Sequence, residues 1–248
     1  MKFVIVGGTG FIGSKVVLKL QAAGHEAVAA SPSNGVNSVT GEGLEEAMVG
    51  AHAVLDVTNS PTFEPQGILD FFSKSTTNLL DAEKIANVGH HVLLSIVGIE
   101  KLPENGYCKG KLAQEELIEK SGVPYTIVRA TQFMEYLGAI ADHGSTADEI
   151  RISTANVQVI AAEDLVDVLV DALTGAAKDA IVQVAGPDRA PMSEVVARYL
   201  KAKGDGRTVT ADPEALYFGS RLDRDMLVPS GVATIGKTHF DRWISDQS

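Results

Sequence analysis

Tyr107 and Lys111 stand four residues apart in the stretch Gly106-Tyr107-Cys108-Lys109-Gly110-Lys111. On a helix that spacing places both side chains on one face, so the ammonium sits near the phenol. A nearby cation favours phenolate and lowers a tyrosine pKa from its reference near 10, which suits proton exchange with a carbonyl or an alcohol. Ser95, at the carboxyl end of the apolar run His91 to Val97, offers a hydroxyl to the same substrate oxygen. Spacing alone does not settle the matter, because Tyr199 and Lys203 repeat the pattern on a helix expected over Met192 to Lys201. That second pair follows no strand-end serine and is expected to pack its ring and solvate its lysine. For Tyr107 the competing reading is a structural tyrosine at a helix start.

The run Gly7-Gly8-Thr9-Gly10-Phe11-Ile12-Gly13 follows an apolar strand, Lys2 to Val6, and opens an amphipathic helix, Phe11 to Gly24. In that context glycines serve a dinucleotide pyrophosphate: Gly7 for the tight turn, Gly10 for close backbone approach, Gly13 for helix packing, with unpaired N–H groups at the helix start. Thr9, Phe11 and Ile12 belong to the same expected site, and the alternative is a turn that serves packing alone. No Lys-Ser or Lys-Thr pair closes the run, which excludes a nucleoside triphosphatase loop.

Cofactor choice is expected at the end of the second strand, His25 to Ser31. An acid there commonly holds the ribose 2′-hydroxyl of NAD, but this chain reads Ala29-Ala30-Ser31-Pro32-Ser33-Asn34. With no carboxylate to repel a 2′-phosphate, and with Ser31, Ser33 and Asn34 able to hydrogen-bond it, NADP is the expected cofactor and NAD remains possible. The same four residues also fit an ordinary polar turn.

The elements that must position these groups alternate. After the first strand, helix and strand come a short strand near Val36 to Thr40, a helix Leu44 to Val49 and a strand Ala53 to Thr58. A long helix from about Gly67 to Val88 follows, then the strand at His91, a helix from about Tyr107 to Ser121 and a strand Tyr125 to Arg129. That alternation argues an α/β fold with a parallel sheet covered on both faces. Beyond Ala130 a helix Glu163 to Leu173 and a strand Ile181 to Ala185 are expected, with Lys201 to Arg207 and Val228 to Gly236 as connections. The expected division is a core of residues 1–145 and a smaller lobe of residues 146–248 that contributes a further strand.

Composition bounds the rest. A chain of 248 residues, 45% hydrophobic, can bury one substantial core. No apolar run reaches the roughly 20 residues that span a bilayer, and the start reads as a strand rather than a cleavable leader, so the expected compartment is the cytoplasm. A single cysteine, Cys108, excludes an internal disulfide framework and fits either an inert buried thiol or a reactive one. The formal charge of −11 repels nucleic acid and no basic patch offsets it. No metal role is expected for His90-His91. Phe133, Met134 and Tyr136 fit an apolar pocket wall and core positions equally.

Glycines at 7, 10 and 13, with Leu94-Ser95-Ile96-Val97-Gly98, the Tyr107 to Lys111 segment and Val123-Pro124-Tyr125-Thr126-Ile127-Val128-Arg129, resemble the atypical, NmrA-like branch of the short-chain dehydrogenase/reductase superfamily. The resemblance implies a Rossmann doubly wound sheet of order 3-2-1-4-5-6-7, with cofactor and substrate at the carboxyl ends of the strands. It implies the serine, tyrosine and lysine roles for Ser95, Tyr107 and Lys111, with Lys111 also on the nicotinamide ribose. It places Thr40-Gly41-Glu42-Gly43 beside the adenine, with Glu42 at its edge, and Val57-Thr58-Asn59 along the ribose and pyrophosphate. Ala130 and Thr131 would line the nicotinamide and substrate. The implied activity is an NADP-dependent oxidoreductase moving a hydride to or from a small carbonyl, quinone or enone, and an oligomer is possible. A redox-sensing NADP(H)-binding regulator is the alternative, and a sugar-nucleotide epimerase or dehydratase is disfavoured by the short carboxyl-terminal lobe.

Overall fold

The computed structural model describes residues 1–145 and 149–246. Its elements run β1 (Lys2–Val6), α1 (Phe11–Ala22), β2 (Glu26–Ala30), α2 (Leu44–Met48), β3 (Ala53–Asp56), α3 (Pro65–Ala86), β4 (His91–Ile96), α4 (Gly106–Glu119), β5 (Tyr125–Ala130) and α5 (Leu137–His143). There follow β6 (Glu149–Ile152), β7 (Asn156–Val157), α6 (Ala162–Thr174), β8 (Ala180–Ala185), β9 (Ala190–Pro191), α7 (Met192–Ala202), β10 (Thr208–Ala211), β11 (Ala233–Ile235) and α8 (Phe240–Ser245).

The central sheet is parallel and seven-stranded, in the order β2-β1-β3-β4-β5-β8-β11. A doubly wound Rossmann sheet is the expected one, but its edges differ from the order 3-2-1-4-5-6-7. The strand expected near Val36 to Thr40 does not form. Asn37 Oδ1 accepts from the N–H groups of Val39 and Thr40, and the Asn78 amide of α3 donates to the carbonyls of Ser38 (2.8 Å) and Val39 (2.9 Å). Ser75 Oγ adds a 2.7 Å bond to Ser38 Oγ. Side chains thus take backbone groups that a ladder would need, and β2 is left as the edge. At the other edge β11, within a stretch read as a connection, pairs in parallel with β8 through Ala233↔Gln183 to Ile235↔Ala185.

The chain divides into two compact units, one of residues 1–95, 106–129 and 166–182, the other of residues 96–105, 130–165 and 183–248. The boundary expected at residue 146 lies outside the described residues. In the first unit the strand alternation is legible in the packing. Val4 and Val6 of β1 and Val54 of β3 pack in one cluster with Leu44 and Met48 of α2 and Leu79 and Ala82 of α3. Leu93 of β4 and Ile127 of β5 pack with Leu80 of α3 and Ile118 of α4, so α2, α3 and α4 cover one face. Lys19 of α1 pairs with Asp167 of α6.

In the second unit β6 and β10 form a parallel pair, and β7 and β9 an antiparallel one. Glu135 accepts from the Ala162 N–H at the start of α6 and from Trp243 Nε1. Among the described residues no helix is long and apolar enough to cross a membrane.

Candidate functional site

Residues Gly7 to Gly13 form the turn from β1 into α1. Gly7 has φ +84°, a conformation that disfavours any side chain, and a Cβ there would meet the Val57 carbonyl oxygen at 2.9 Å. A Cβ on Gly13 would stand 2.3 Å from the Gly7 oxygen, so the helix can lie this close to the turn only through glycine. Gly10 is different. Its φ of −78° suits any residue, a Cβ there would approach only the Gly7 oxygen, at 3.1 Å, and no side chain caps the helix it precedes. Open space and uncapped amides at that point fit an anionic pyrophosphate. Thr9, Gly10 and Phe11 are exposed, whereas Ile12 is buried in the core, which leaves its backbone to serve a ligand. Gly8, absent from the expected set of binding residues, is equally constrained: its Cβ would stand 2.6 Å from the Ile5 oxygen and 2.7 Å from Ala29 Cα.

At the end of β2, Ser31 is buried and its hydroxyl lies 2.9 Å from that of Ser33. Asn34 Nδ2 donates to the Ala29 carbonyl at 2.9 Å, so this amide is engaged within the turn. Glu42 is exposed, and its carbonyl accepts from the Asn37 N–H at 2.8 Å. Val57 continues the sheet geometry through its N–H bond to Val6, and the Thr58 N–H donates to Asp56 Oδ1 at 2.8 Å.

Two hydroxyls near the carboxyl ends of β3 and β4, Thr58 Oγ1 and Ser95 Oγ, are buried with no hydrogen-bond partner among the described residues. Such groups are costly to leave unpaired, and a ligand with polar edges would satisfy them. The residues present therefore fit a dinucleotide: a glycine cradle, an uncapped helix start and two orphaned hydroxyls, all in the first unit.

Tyr107 and Lys111 lie on α4 as the spacing predicts. The Tyr107 hydroxyl donates to Asn59 Oδ1 at 2.8 Å, and its ring meets Phe72 edge-on at 5.7 Å. Lys111 is 2% exposed; its ammonium donates to Gln114 Oε1 and lies 4.8 Å from the centre of the same Phe72 ring. Gln114 Nε2 in turn donates to Asp56 Oδ2 at 2.7 Å. Burial pushes the Lys111 ammonium down to about 8, against the pull of Asp56 and Glu115 in the other direction. Glu115 is itself held by Arg129 through bonds of 3.0 and 2.6 Å.

Ala130 closes β5, and its carbonyl accepts from the Val97 N–H. Thr131 is buried and donates its hydroxyl proton to the Gln158 carbonyl at 2.6 Å, so only its oxygen lone pairs are left for another group. Met134 is fully buried and Tyr136 is 48% exposed, with Phe133 edge-on to Tyr136 at 5.7 Å. Tyr199 stacks on Trp243 and Lys203 is exposed, as expected of the second Tyr-Lys pair. His91 bonds Glu83 at 2.7 Å and His90 bonds Thr126 at 2.9 Å. Burial and the adjacent His91 push His90 down to about 4.

Gln114, Asp56 and Phe72 are site residues that motifs did not single out, and Asn59, expected along the ribose and pyrophosphate, also meets Tyr107. Gln114 carried a signal, being three residues beyond Lys111 on a helix and so on its face. Asp56 carried another, a carboxylate ending the apolar strand Ala53-Val54-Leu55. Asn59 and Phe72 reach the site only through tertiary packing.

Residues 7–176 match the NAD(P)H-binding family. The chain belongs to that family. That match supports the expected resemblance to atypical, NmrA-like NAD(P)-binding proteins. This NAD(P)H-binding protein is 29% identical over 217 residues to (4-alkanoyl-5-oxo-2,5-dihydrofuran-3-yl)methyl phosphate reductase of Streptomyces griseus, covering 81% of this chain and 73% of that one. It is 25% identical over 151 residues to photosystem II assembly factor Ycf39 of Cyanophora paradoxa, a match covering 55% of this chain and only about half, 47%, of that relative's length. Among solved structures, a short-chain dehydrogenase/reductase superfamily protein from Agrobacterium tumefaciens with bound NAD superposes with a TM-score of 0.73 at 16% identity, covering 99% and 95% of the two chains. That last likeness shows the fold. A reductase is thus among the relatives of this NAD(P)H-binding chain.

Proposed function

We propose that the chain is an NADPH-dependent oxidoreductase acting on a small carbonyl, quinone or enone, with Tyr107 as proton donor, Lys111 as the cation beside it and Ser95 as the hydrogen-bond partner of the substrate oxygen. The observation that carries this reading is that a buried ammonium, Lys111, and Tyr107 one helical turn before it both lie against the Phe72 ring. A buried cation is costly, and Gln114, Asp56 and Glu115 offset only part of that cost, since the Lys111 pKa stays depressed. The nicotinamide cofactor supplies the hydride equivalent. Residues Gly7 to Gly13 would hold its pyrophosphate, Thr58 its ribose side, and Lys111 its nicotinamide ribose. The Ser31 and Ser33 hydroxyls, with no carboxylate in the turn, support NADPH over NADH.

In carbonyl reduction a C–H bond forms at the substrate carbon as the Tyr107 O–H bond breaks and its proton passes to the substrate oxygen. The Tyr107 phenol holds that proton, since it donates to Asn59. Ser95 has a free hydroxyl to orient the oxygen, and Lys111 stabilises the phenolate that remains. Tyr107→Phe should lower kcat on aldehydes and ketones by roughly 10²–10⁴ with the NADPH dissociation constant unchanged, whereas Lys111→Ala should damage both. Retained carbonyl turnover in Tyr107→Phe would remove Tyr107 from the proposal.

A further inference from the structure

Gln114 lies between two buried charges. Its carboxamide oxygen accepts from the Lys111 ammonium and its amide nitrogen donates to Asp56 Oδ2 at 2.7 Å, and Gln114 is itself fully buried. The orientation of the amide is fixed by chemistry, since an ammonium has only donors and a carboxylate only acceptors. Asp56 carries a second duty, accepting from the Thr58 N–H and so pinning the segment whose Val57 carbonyl abuts Gly7.

We propose that Gln114 is a positioning residue, a neutral spacer that keeps Lys111 from pairing directly with Asp56 and leaves the ammonium available to Tyr107 and to the cofactor. This rests on the oxidoreductase reading for what Lys111 does, but the spacer role is a property of the protein alone. Direct contact with the carboxylate would neutralise the field that Lys111 exerts on the phenol and draw its N–H groups away. The other charged groups around Lys111 do not take the place of Asp56. Glu115 on α4 is committed to Arg129 of β5, and His91 of β4 is committed to Glu83 of α3. The ammonium titrating near 8 despite Asp56 and Glu115 agrees with a cation held one residue short of an ion pair.

The spacer role and a merely structural role differ in sign. If Gln114 were only an acceptor, deleting its amide would remove a bond from the charged form, and Lys111 would lose its proton at lower pH. If it is a spacer, deletion lets Lys111 and Asp56 meet, and Lys111 would hold its proton to higher pH. The experiment is an NMR titration of the full chain with labelled lysine side chains, the Lys111 signal being assigned by its loss in Lys111→Met. Wild-type protein and Gln114→Met are compared, with Gln114→Leu as a second variant that removes the amide. The expected result is an upward move of the Lys111 midpoint by at least one pH unit, tenfold in proton affinity, in both variants. The basic limb of NADPH-dependent turnover should move with it. A Gln114→Met midpoint that stays or falls would overturn the proposal. Should thermal melting show that Gln114→Met does not fold, a Gln114→Leu midpoint that stays or falls would do so instead. Absence of turnover in wild-type protein would count against the oxidoreductase reading and leave the titration to decide the spacer.

Discussion

Lys111 shows how a single residue can be costly to the fold and useful to the site. Its pKa is depressed from 10.5 to about 8 by burial, which corresponds to roughly 3 kcal/mol against the charged form in the folded state. Between those two values the unfolded chain holds a proton that the folded chain has released, so wild-type stability rises with pH over that window, and below 8 the full cost is present. Lys111→Met should therefore melt at or above the wild-type temperature at pH 7, even after stranding Gln114 Oε1, and the advantage should shrink as pH rises from 8 to 10.5. Thermal melts of the two proteins across that range check both sign and window. Ser95 makes a similar case. Its hydroxyl has no partner to lose, so Ser95→Ala should change stability by less than about 1 kcal/mol while lowering carbonyl turnover at least tenfold. The Tyr107 and Lys111 pair could be singled out in the sequence because its spacing is local, while the family resemblance pointed to Ser95 and to the segment holding Asn59. The contacts that Asn59 and Asp56 make with Tyr107 and Gln114 could not be read, because they span 48 and 58 residues.

At the scale of elements, the β1–α1 turn separates glycines needed by the fold from Gly10, which packing leaves open and which we propose serves a ligand. A methyl group at Gly13 would sit 2.3 Å from a backbone oxygen that cannot move without unseating the helix, so Gly13→Ala should cost about 3 kcal/mol. At Gly10 the same methyl meets one oxygen at 3.1 Å with an ordinary backbone conformation, so Gly10→Ala should stay within about 1 kcal/mol of wild type. Calorimetry should nevertheless find NADPH binding weakened at least tenfold in Gly10→Ala, and binding lost in Gly10→Asp, where a carboxylate faces the pyrophosphate. The turn role of Gly7 and the packing role of Gly13 were legible in the motif, whereas the equally close packing at Gly8 was not. The sequence also suggested a strand at Val36 to Thr40, because alternation registers there while the Asn37 turn and the distant Ser75 and Asn78 clamp do not. Asn78→Ala deletes two bonds to that segment and should cost about 1–3 kcal/mol by denaturant unfolding.

For the molecule as a whole, the parallel sheet was legible because β1, β3, β4 and β5 read as apolar strands separated by helix-length segments. The edges were not. One edge is β2 because side chains hold residues 37–40 out of a strand, and at the other edge β11 has only three residues, two of them exposed, so no apolar pattern marks it. NADPH bound to the folded chain alone should stabilise it by about 2.7 kcal/mol at a hundredfold excess over its dissociation constant, and NADH at the same concentration should give less. Binding by itself does not separate an enzyme from a redox sensor. The decisive measurement is single-turnover oxidation of protein-bound NADPH over a panel of aldehydes, ketones, quinones and enones, with deuterium placed in turn at each of the two C4 positions of the cofactor. At least one panel member should consume the reduced cofactor, and deuterium should slow the reaction at one C4 position only. NADPH that binds tightly but is oxidised by no member of the panel would contradict the proposed activity.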